Sequence, residues 1–287
     1  MAVDLLRGLS PSPTVNVSSY LRLGLINLVM SRRQGQRVGK GRSGENLKDA
    51  LNEYNRDAMR LITEVYRCDN VGELLRRVDD WVKEEVEALE DLGYGVVFNA
   101  VIPLMTRLAI GLRHPYTEPL EPAIAWDPYW NLPYIPASSL KGAMRSIAET
   151  NNHPCAKALG ERNEASTVVV LDSYPTYCPP GRGLLTLDII NPHYKEVSGE
   201  ISEAESNPTP LVFLTVSRGV GFRVVILTAR NRLREKCGGA VAEDYVYADA
   251  KCNKACTVKE LEWLINKALQ GGIGAKTALG YGVFKVQ

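Results

Sequence analysis

A short predicted helix carries a lysine and an arginine on neighbouring turns, a pattern suited to binding phosphate. The segment Ser138–Glu149 has helical apolar spacing, and the hydroxyls of Ser138 and Ser139 predict an N-cap. Lys141 and Arg145 are four residues apart and should project together near the positive end of the helix dipole. The same residues would also fit an ordinary capped helix with solvated cations, and both interpretations stay open.

A glycine-rich segment near the C-terminus is a second candidate for phosphate binding. Gly271–Gly282 holds five glycines in twelve residues, and glycine lets a backbone approach a ligand closely. Gly272, Gly274, Lys276 and Thr277 could cradle a phosphate or a nucleotide backbone. The segment is not a P-loop, because an alanine stands where that motif requires its second glycine. A structural turn before a closing strand, predicted at 281–286, explains it equally well.

A basic segment, Ser31–Gly44, contains four glycines and no acidic residue. Its five cations are Arg32, Arg33, Arg37, Lys40 and Arg42. This composition predicts a mobile loop that orders on RNA, or else a solvated loop without a ligand.

Residues that could perform acid–base catalysis are few. The three histidines include His114 and His193, which together with Asp172 are the candidates for general acid or base, although each also fits a turn. Cys252 and Cys256 have a C-x3-C spacing without a nearby histidine. We therefore predict neither a metal site nor a cofactor, and leave open whether the six cysteines are structural, free or disulfide-bonded.

Composition limits the function only weakly. Thirty-four basic and thirty-three acidic residues give a formal net charge of +1, which neither requires nor excludes nucleic acid. We expect no membrane span and a cytoplasmic location, because no apolar stretch reaches the roughly 20 residues of a span.

Periodicity predicts an α+β protein. The first third should be helical, with two amphipathic helices joined near residues 70–72. Further on, a proline-rich ordered loop covers 114–136, and a last helix covers 258–269. Strands are predicted at 96–98, 108–110, 167–171, 184–190, 211–216 and 222–227.

Three segments in this order resemble the RAMP superfamily of CRISPR proteins. They are TRLAIGLRHP (106–115), YIPASSLKGAMR (134–145) and GGIGAKTALGYGVF (271–284). The second is similar to the family signature IPGSSLKGxxR, with Ala137 in place of its glycine. LDSYP (171–175), NPHY (191–194) and PTPLVFLTV (208–216) are similar to one subunit type of the Cmr (type III-B) assembly. The resemblance covers about residues 95–287.

The resemblance implies a fold and a function. It implies an elaborated ferredoxin-like, RRM-related domain at 94–287, preceded by a helical region at 1–93, together one compact unit. It implies a non-catalytic backbone subunit of a CRISPR RNA-guided ribonucleoprotein in antiviral defence. The partners would be the guide RNA, towards its 3′ end, the target RNA and other RAMP subunits. The family's RNA contacts fall on Arg107 and Lys141, with the glycine-rich segment beside them.

Two other functions remain as alternatives. Other RAMP proteins cleave RNA, so an endoribonuclease using His114, Asp172 or His193 is the first. A nucleotide-binding enzyme using the glycine-rich segment is the second, and the failed P-loop pattern disfavours it.

Overall fold

The described part of the N-terminal third of the protein is mostly helical. The computed structural model describes residues 15–36, 45–120, 122–160, 165–190, 195–197, 200–202, 210–239, 244–248 and 252–286. Its helices are α1 Val17–Gln36, α2 Glu45–Val65, α3 Cys68–Asp91, α4 Ala137–Thr150, α5 Arg230–Lys236 and α6 Val258–Gly271. The predicted helices at 138–149 and 258–269 are thereby confirmed, and α6 begins with a capping box between Thr257 and Glu260.

Two boundaries in the helical third differ from the prediction. Residues 31–36 of the basic segment continue α1 instead of forming a loop, because arginine and glutamine favour a helix and outweigh the single glycine there. The joint between α2 and α3 lies at Tyr66 and Arg67, not at 70–72. Val71 is fully buried on the apolar face of α3, so the helix continues through Gly72.

The strands are β1 Gly95–Pro103, β2 Trp126–Asp127, β3 Leu132–Pro133, β4 Val168–Val170, β5 Tyr174–Tyr177, β6 Leu185–Ile190, β7 Lys195–Val197, β8 Glu200–Ser202, β9 Leu211–Val216, β10 Gly221–Thr228, β11 Tyr245–Ala248 and β12 Lys254–Thr257. The α+β prediction is confirmed.

The main sheet is antiparallel and has β10 at its centre. Strand β1 pairs with one edge of β10, while β4 and β5 share its other edge. Arg223 of β10 contacts Asp79 of α3, whereas Phe222 packs edge-to-face on Phe284, whose N–H donates to Leu269 of α6. Because neighbouring strand residues point to opposite faces, α3 and the end of α6 cover opposite sides of the sheet.

Two predicted strands are not regular strands. Residues 108–110 make only isolated bridges, Leu108 with Val216 and Ala109 with Ala275. Residues 281–286 contribute one bridge, between Leu104 and Phe284. The physical reason is that Phe284 N–H donates to the end of α6, which interrupts the ladder.

One buried apolar cluster extends from the N-terminal helices into the sheet. It includes Leu21 of α1, Met59 of α2, Val78 of α3 and Ile226 of β10. Disulfides join Cys68 to Cys178, Cys155 to Cys256 and Cys237 to Cys252, so the two cysteines of the C-x3-C spacing have different partners. In the described part of the chain, no helix is long and apolar enough to cross a membrane.

Candidate nucleic-acid interface

Backbone pairing brings Arg107 and the glycine-rich segment together. Ala275 N–H donates to the Ala109 carbonyl at 2.7 Å, and Gly282 N–H donates to the Arg107 carbonyl at 2.8 Å. The two segments thus run beside each other, although they are more than 160 residues apart in the sequence. This juxtaposition is the one that the resemblance implies.

The guanidinium of Arg107 is held by an acidic partner. Its Nη1 lies 2.6 Å from Asp188 Oδ2, which also accepts a 2.6 Å hydrogen bond from the Tyr281 hydroxyl. Burial alone would raise the pKa of Asp188, but the bonds from Tyr281 and Arg107 hold it below its usual value. Burial and the carboxylate raise the pKa of Tyr281 to about 12. About half of the Arg107 side chain, 47%, stays exposed, so it can still reach an anion.

Three glycines of the segment, Gly272, Gly274 and Gly282, are required by the protein's own packing. A Cβ on Gly274 would lie 2.4 Å from the Ala109 carbonyl oxygen, and one on Gly272 would lie 2.8 Å from the Tyr281 oxygen. Lys276 adopts a left-handed conformation with φ of 61° and precedes a 3-10 turn at Thr277–Leu279. The side chains of Lys276 and Thr277 are half-buried. RNA contact by Gly272, Gly274, Lys276 and Thr277 stays a prediction.

The predicted hydroxyl cap of α4 is wrong. Pro136 occupies the N-cap position, and neither Ser138 nor Ser139 makes a side-chain capping bond. Asp172 Oδ1 instead accepts from the Ala137 N–H at 2.6 Å, because the turn after β4 places a carboxylate at this helix end. The dipole is thus already offset by a negative group, and an RNA phosphate at this end would be repelled by Asp172. RNA contact by the two serines stays a prediction.

Lys141 belongs instead to a group of cations at the side of α4. Its Nζ donates to the Val168 carbonyl at 3.0 Å, and Arg232 of α5 donates to the Ser166 carbonyl at 3.1 Å. The two cations are therefore anchored two residues apart on one segment. Burial lowers the pKa of Lys141, and the positive charges of Arg145 and Arg232 lower it further. Arg145 forms an exposed ion pair with Glu149 at 2.7 Å.

Such a group of like charges favours an anionic ligand. A phosphate placed against Lys141 would offset both the lost hydration of its partly buried charge and the repulsion from the neighbouring cations. Arg232 was absent from the sequence prediction because α5 lies outside the signature segments. The signal that could have found it is the basic character of RNRLREK, residues 230–236.

The structure describes residues 31–36 of the basic segment. Arg32 and Arg33 lie at the end of α1, so their backbone is helical. Arg37, Lys40 and Arg42 lie outside the described residues. RNA contact by all five remains a prediction.

The catalytic candidates have structural partners. His114 Nδ1 accepts from the Trp126 N–H at 3.4 Å, and burial lowers the pKa of this histidine. Asp172 caps α4, and His193 lies outside the described residues. Tyr134 lies beside His114 and Asp172: its ring centroid is 6.0 Å from that of His114, and burial followed by the charge of Asp172 raises the pKa of Tyr134.

Within the described residues, no group of three or more His, Cys, Asp or Glu side chains could hold a metal.

Comparisons with known proteins agree with the motifs. A family model described as the RAMP superfamily matches residues 101–285. A protein of Saccharolobus solfataricus described as CRISPR system CMR subunit Cmr6 is 28% identical over 245 residues, which is 84% of this chain and 74% of that protein. One chain of the cryo-EM structure of the Type III-B Cmr-beta bound to cognate target RNA superposes with a TM-score of 0.72 at 24% identity. The match covers 100% of this chain and 95% of that chain.

Proposed function

Because the chain belongs to the RAMP superfamily, we propose that it is a non-catalytic RNA-binding backbone subunit of a type III-B (Cmr) CRISPR effector complex. In this role it binds the guide RNA towards its 3′ end, faces the target RNA and contacts other Cmr RAMP subunits in the cytoplasm. The relative described as Cmr6 supports the assignment to this complex.

The single observation that carries the RNA-binding role is a pair of cations held on one segment: Lys141 Nζ donates to the Val168 carbonyl at 3.0 Å, and Arg232 donates to the Ser166 carbonyl at 3.1 Å. Among the described residues no carboxylate forms an ion pair with either cation, and the positive charges of Arg145 and Arg232 add to the burial that lowers the pKa of Lys141. A backbone phosphate supplies the missing negative charge without regard to base identity. Such binding suits guides that differ in sequence.

We also propose how the fold is organised. The order β1, α4, β4 with β5, β10 and α6, followed by the bridge at Phe284, suits a ferredoxin-like core. Residues 1–93 then form a helical region and 94–287 the RAMP domain. The apolar cluster that they share supports one compact unit.

Substitutions at Lys141 and Arg232 test the proposal. Lys141→Ala should weaken binding of all guide sequences alike and lower the salt dependence by about one phosphate contact. Arg232→Ala should act in the same way. Lys259→Ala, at an exposed lysine of α6, is the control. Fluorescence anisotropy with several RNA sequences and salt concentrations gives the measurement, on the isolated chain and on complexes purified with their RNA.

Thermal unfolding separates binding from folding. The Ser166 hydroxyl lies 2.7 Å from the Val168 carbonyl and 2.8 Å from the Ala158 carbonyl, so it can donate to Val168 when Lys141 is removed. Lys141→Ala should therefore change stability by at most about 1 kcal/mol. RNA binding that is indifferent to both substitutions would contradict the role of this group. Loss of binding for one sequence alone would show that Lys141 reads bases.

An endoribonuclease is the second candidate, since His114 and Asp172 both lie beside Tyr134. Metal-independent RNA cleavage that disappears in His114→Ala would favour it.

A further inference from the structure

A cavity of about 500 Å³ lies at the end of β1, away from the residues that the sequence singled out. Three cations line it: Arg182, Arg218 and Lys285. Apolar side chains, among them Met105 and Pro179, form the rest of its wall. The volume lies in the range of small-molecule sites and would admit a nucleotide unit.

The three cations come from separate segments whose backbones are fixed. Lys285 N–H donates to the Pro103 carbonyl at 2.8 Å, and Gly219 N–H, next to Arg218, donates to the Leu104 carbonyl at 2.7 Å. The carbonyl of Arg182 accepts from Cys68 N–H at 2.8 Å. Three parts of the chain thus fix the backbone positions from which these side chains line one cavity.

The charge of the cavity is not balanced by its own lining. No carboxylate is among the described residues that line it, and all three cations are exposed. The carboxylate of Asp69 does not line the cavity, and its Oδ1 accepts from the Gly181 N–H at 3.1 Å. An anion would therefore meet three positive groups and no negative one among these residues.

We propose that this cavity binds a phosphate of the RNA backbone, with the sugar or base of the same nucleotide against Met105 and Pro179. The inference rests on the proposed function and adds a second contact region to it. RNA fits better than an acidic protein segment because Met105 in the cavity wall lies two residues before Arg107 in the chain, so one RNA strand could contact both. The Val283 carbonyl accepts from both Met105 and Thr106 N–H groups, and the neighbouring Gly282 pairs with Arg107.

A charge-matched pair of triple variants tests the site. Arg182→Ala/Arg218→Ala/Lys285→Ala removes the cavity's charge, and Arg60→Ala/Lys259→Ala/Lys267→Ala removes three exposed cations elsewhere. The cavity variant loses one phosphate contact, and each such contact on single-stranded RNA contributes about 0.7 to the salt slope, so the slope of log affinity against log salt should fall by about 0.7. A fourfold rise in salt would then cost this variant about 2.6-fold less affinity than it costs the unchanged protein. The control variant should keep the original slope.

The outcomes separate this site from the proposed function. If the unchanged protein binds RNA and both triple variants share its slope, the cavity assignment is overturned and the proposed function stands. If RNA binding is kept but co-purification with neighbouring subunits is lost, the cavity binds an acidic protein surface and the assignment is again overturned. If the unchanged protein binds no RNA, alone or in the purified complex, the proposed function itself fails. Should the triple variant unfold, Arg218→Ala alone gives the same comparison, with an expected loss from the slope of at most about 0.7.

Discussion

The side chain of Lys141 is partly buried although its positive charge lies close to other cations, which is unfavourable without a bound anion. It packs against the sheet and donates to the Val168 carbonyl, yet it carries its charge close to Arg145 and Arg232. Its pKa in the folded protein is lowered from 10.5, first by burial and then by these cations. The protonated form therefore costs the folded state some stability at every pH below the lowered pKa. That cost disappears as the pH rises from the lowered value towards 10.5.

This shift predicts an unusual pH dependence of RNA binding. A bound phosphate stabilises the charged lysine, so binding should take up a proton once the pH exceeds the lowered pKa, and affinity should fall in that range. Lys141→Arg should keep its affinity to higher pH, because guanidinium stays protonated. The measurement is anisotropy at constant ionic strength with RNA of adenine and cytosine only, whose bases do not lose protons there. Parallel pH curves for the two proteins would contradict the placement of a phosphate at Lys141.

Two kinds of glycine occur in the elements that form the candidate interface. In the glycine-rich segment, Gly274 and Gly282 are needed by the fold, because a Cβ would lie 2.4 Å from Ala109 O and 2.0 Å from Ile273 O, respectively. In α4, by contrast, Gly142 is exposed and a Cβ there would meet nothing within 4 Å. Gly72 of α3 is also exposed, and a Cβ there would likewise meet nothing within 4 Å. A glycine inside a helix costs stability, so the fold gives no reason for Gly142.

This contrast predicts different effects for two matched substitutions. Gly142→Ala and Gly72→Ala should each raise stability by roughly 0.5–1 kcal/mol, measured by denaturant unfolding. Only Gly142→Ala should weaken RNA binding, because its methyl group would lie next to Lys141 where the RNA backbone approaches. Equal RNA affinity for the two variants would show that the space beside Gly142 is not used.

At the scale of the whole molecule, disulfides connect parts of the chain that are distant in sequence. Cys68–Cys178 spans 110 residues and links the start of α3 to the segment after β5. Cys155–Cys256 spans 101 residues and links the segment after α4 to β12. Cys237–Cys252 spans only 15. Closing a longer loop removes more conformational entropy from the unfolded chain.

We therefore expect the long-range bonds to contribute more stability than the short one. Cys155→Ser/Cys256→Ser should lower the free energy of unfolding by about 2–4 kcal/mol, and Cys237→Ser/Cys252→Ser should lower it by less. Denaturant titrations under oxidising and reducing conditions measure both. Under reducing conditions the variants should approach the unchanged protein. A persistent difference there would mean that the serines disturb packing rather than remove a crosslink.

Much of the secondary structure followed from local patterns. The helices at 138–149 and 258–269 were placed within two residues, because apolar periodicity depends only on neighbours in the chain. One boundary that failed depended on another part of the fold. The α2–α3 joint falls at Tyr66 and Arg67 because their backbone pairs with a distant segment: Arg67 forms an isolated bridge with Gly183, and the Tyr66 carbonyl accepts from the Leu184 N–H at 2.7 Å.

For the candidate interface, too, the sequence predicted some residues and only the tertiary structure revealed others. The signature segments identified the family and named Arg107 and Lys141, since these residues stand at fixed positions in recognisable motifs. Tertiary structure decided what surrounds them: Asp188 beside Arg107, Asp172 at the start of α4, and Arg232 beside Lys141. The physical reason is that electrostatic interactions depend on distance in space, which periodicity along a chain does not encode. The cavity of Arg182, Arg218 and Lys285 likewise exists only because the fold brings three distant segments together.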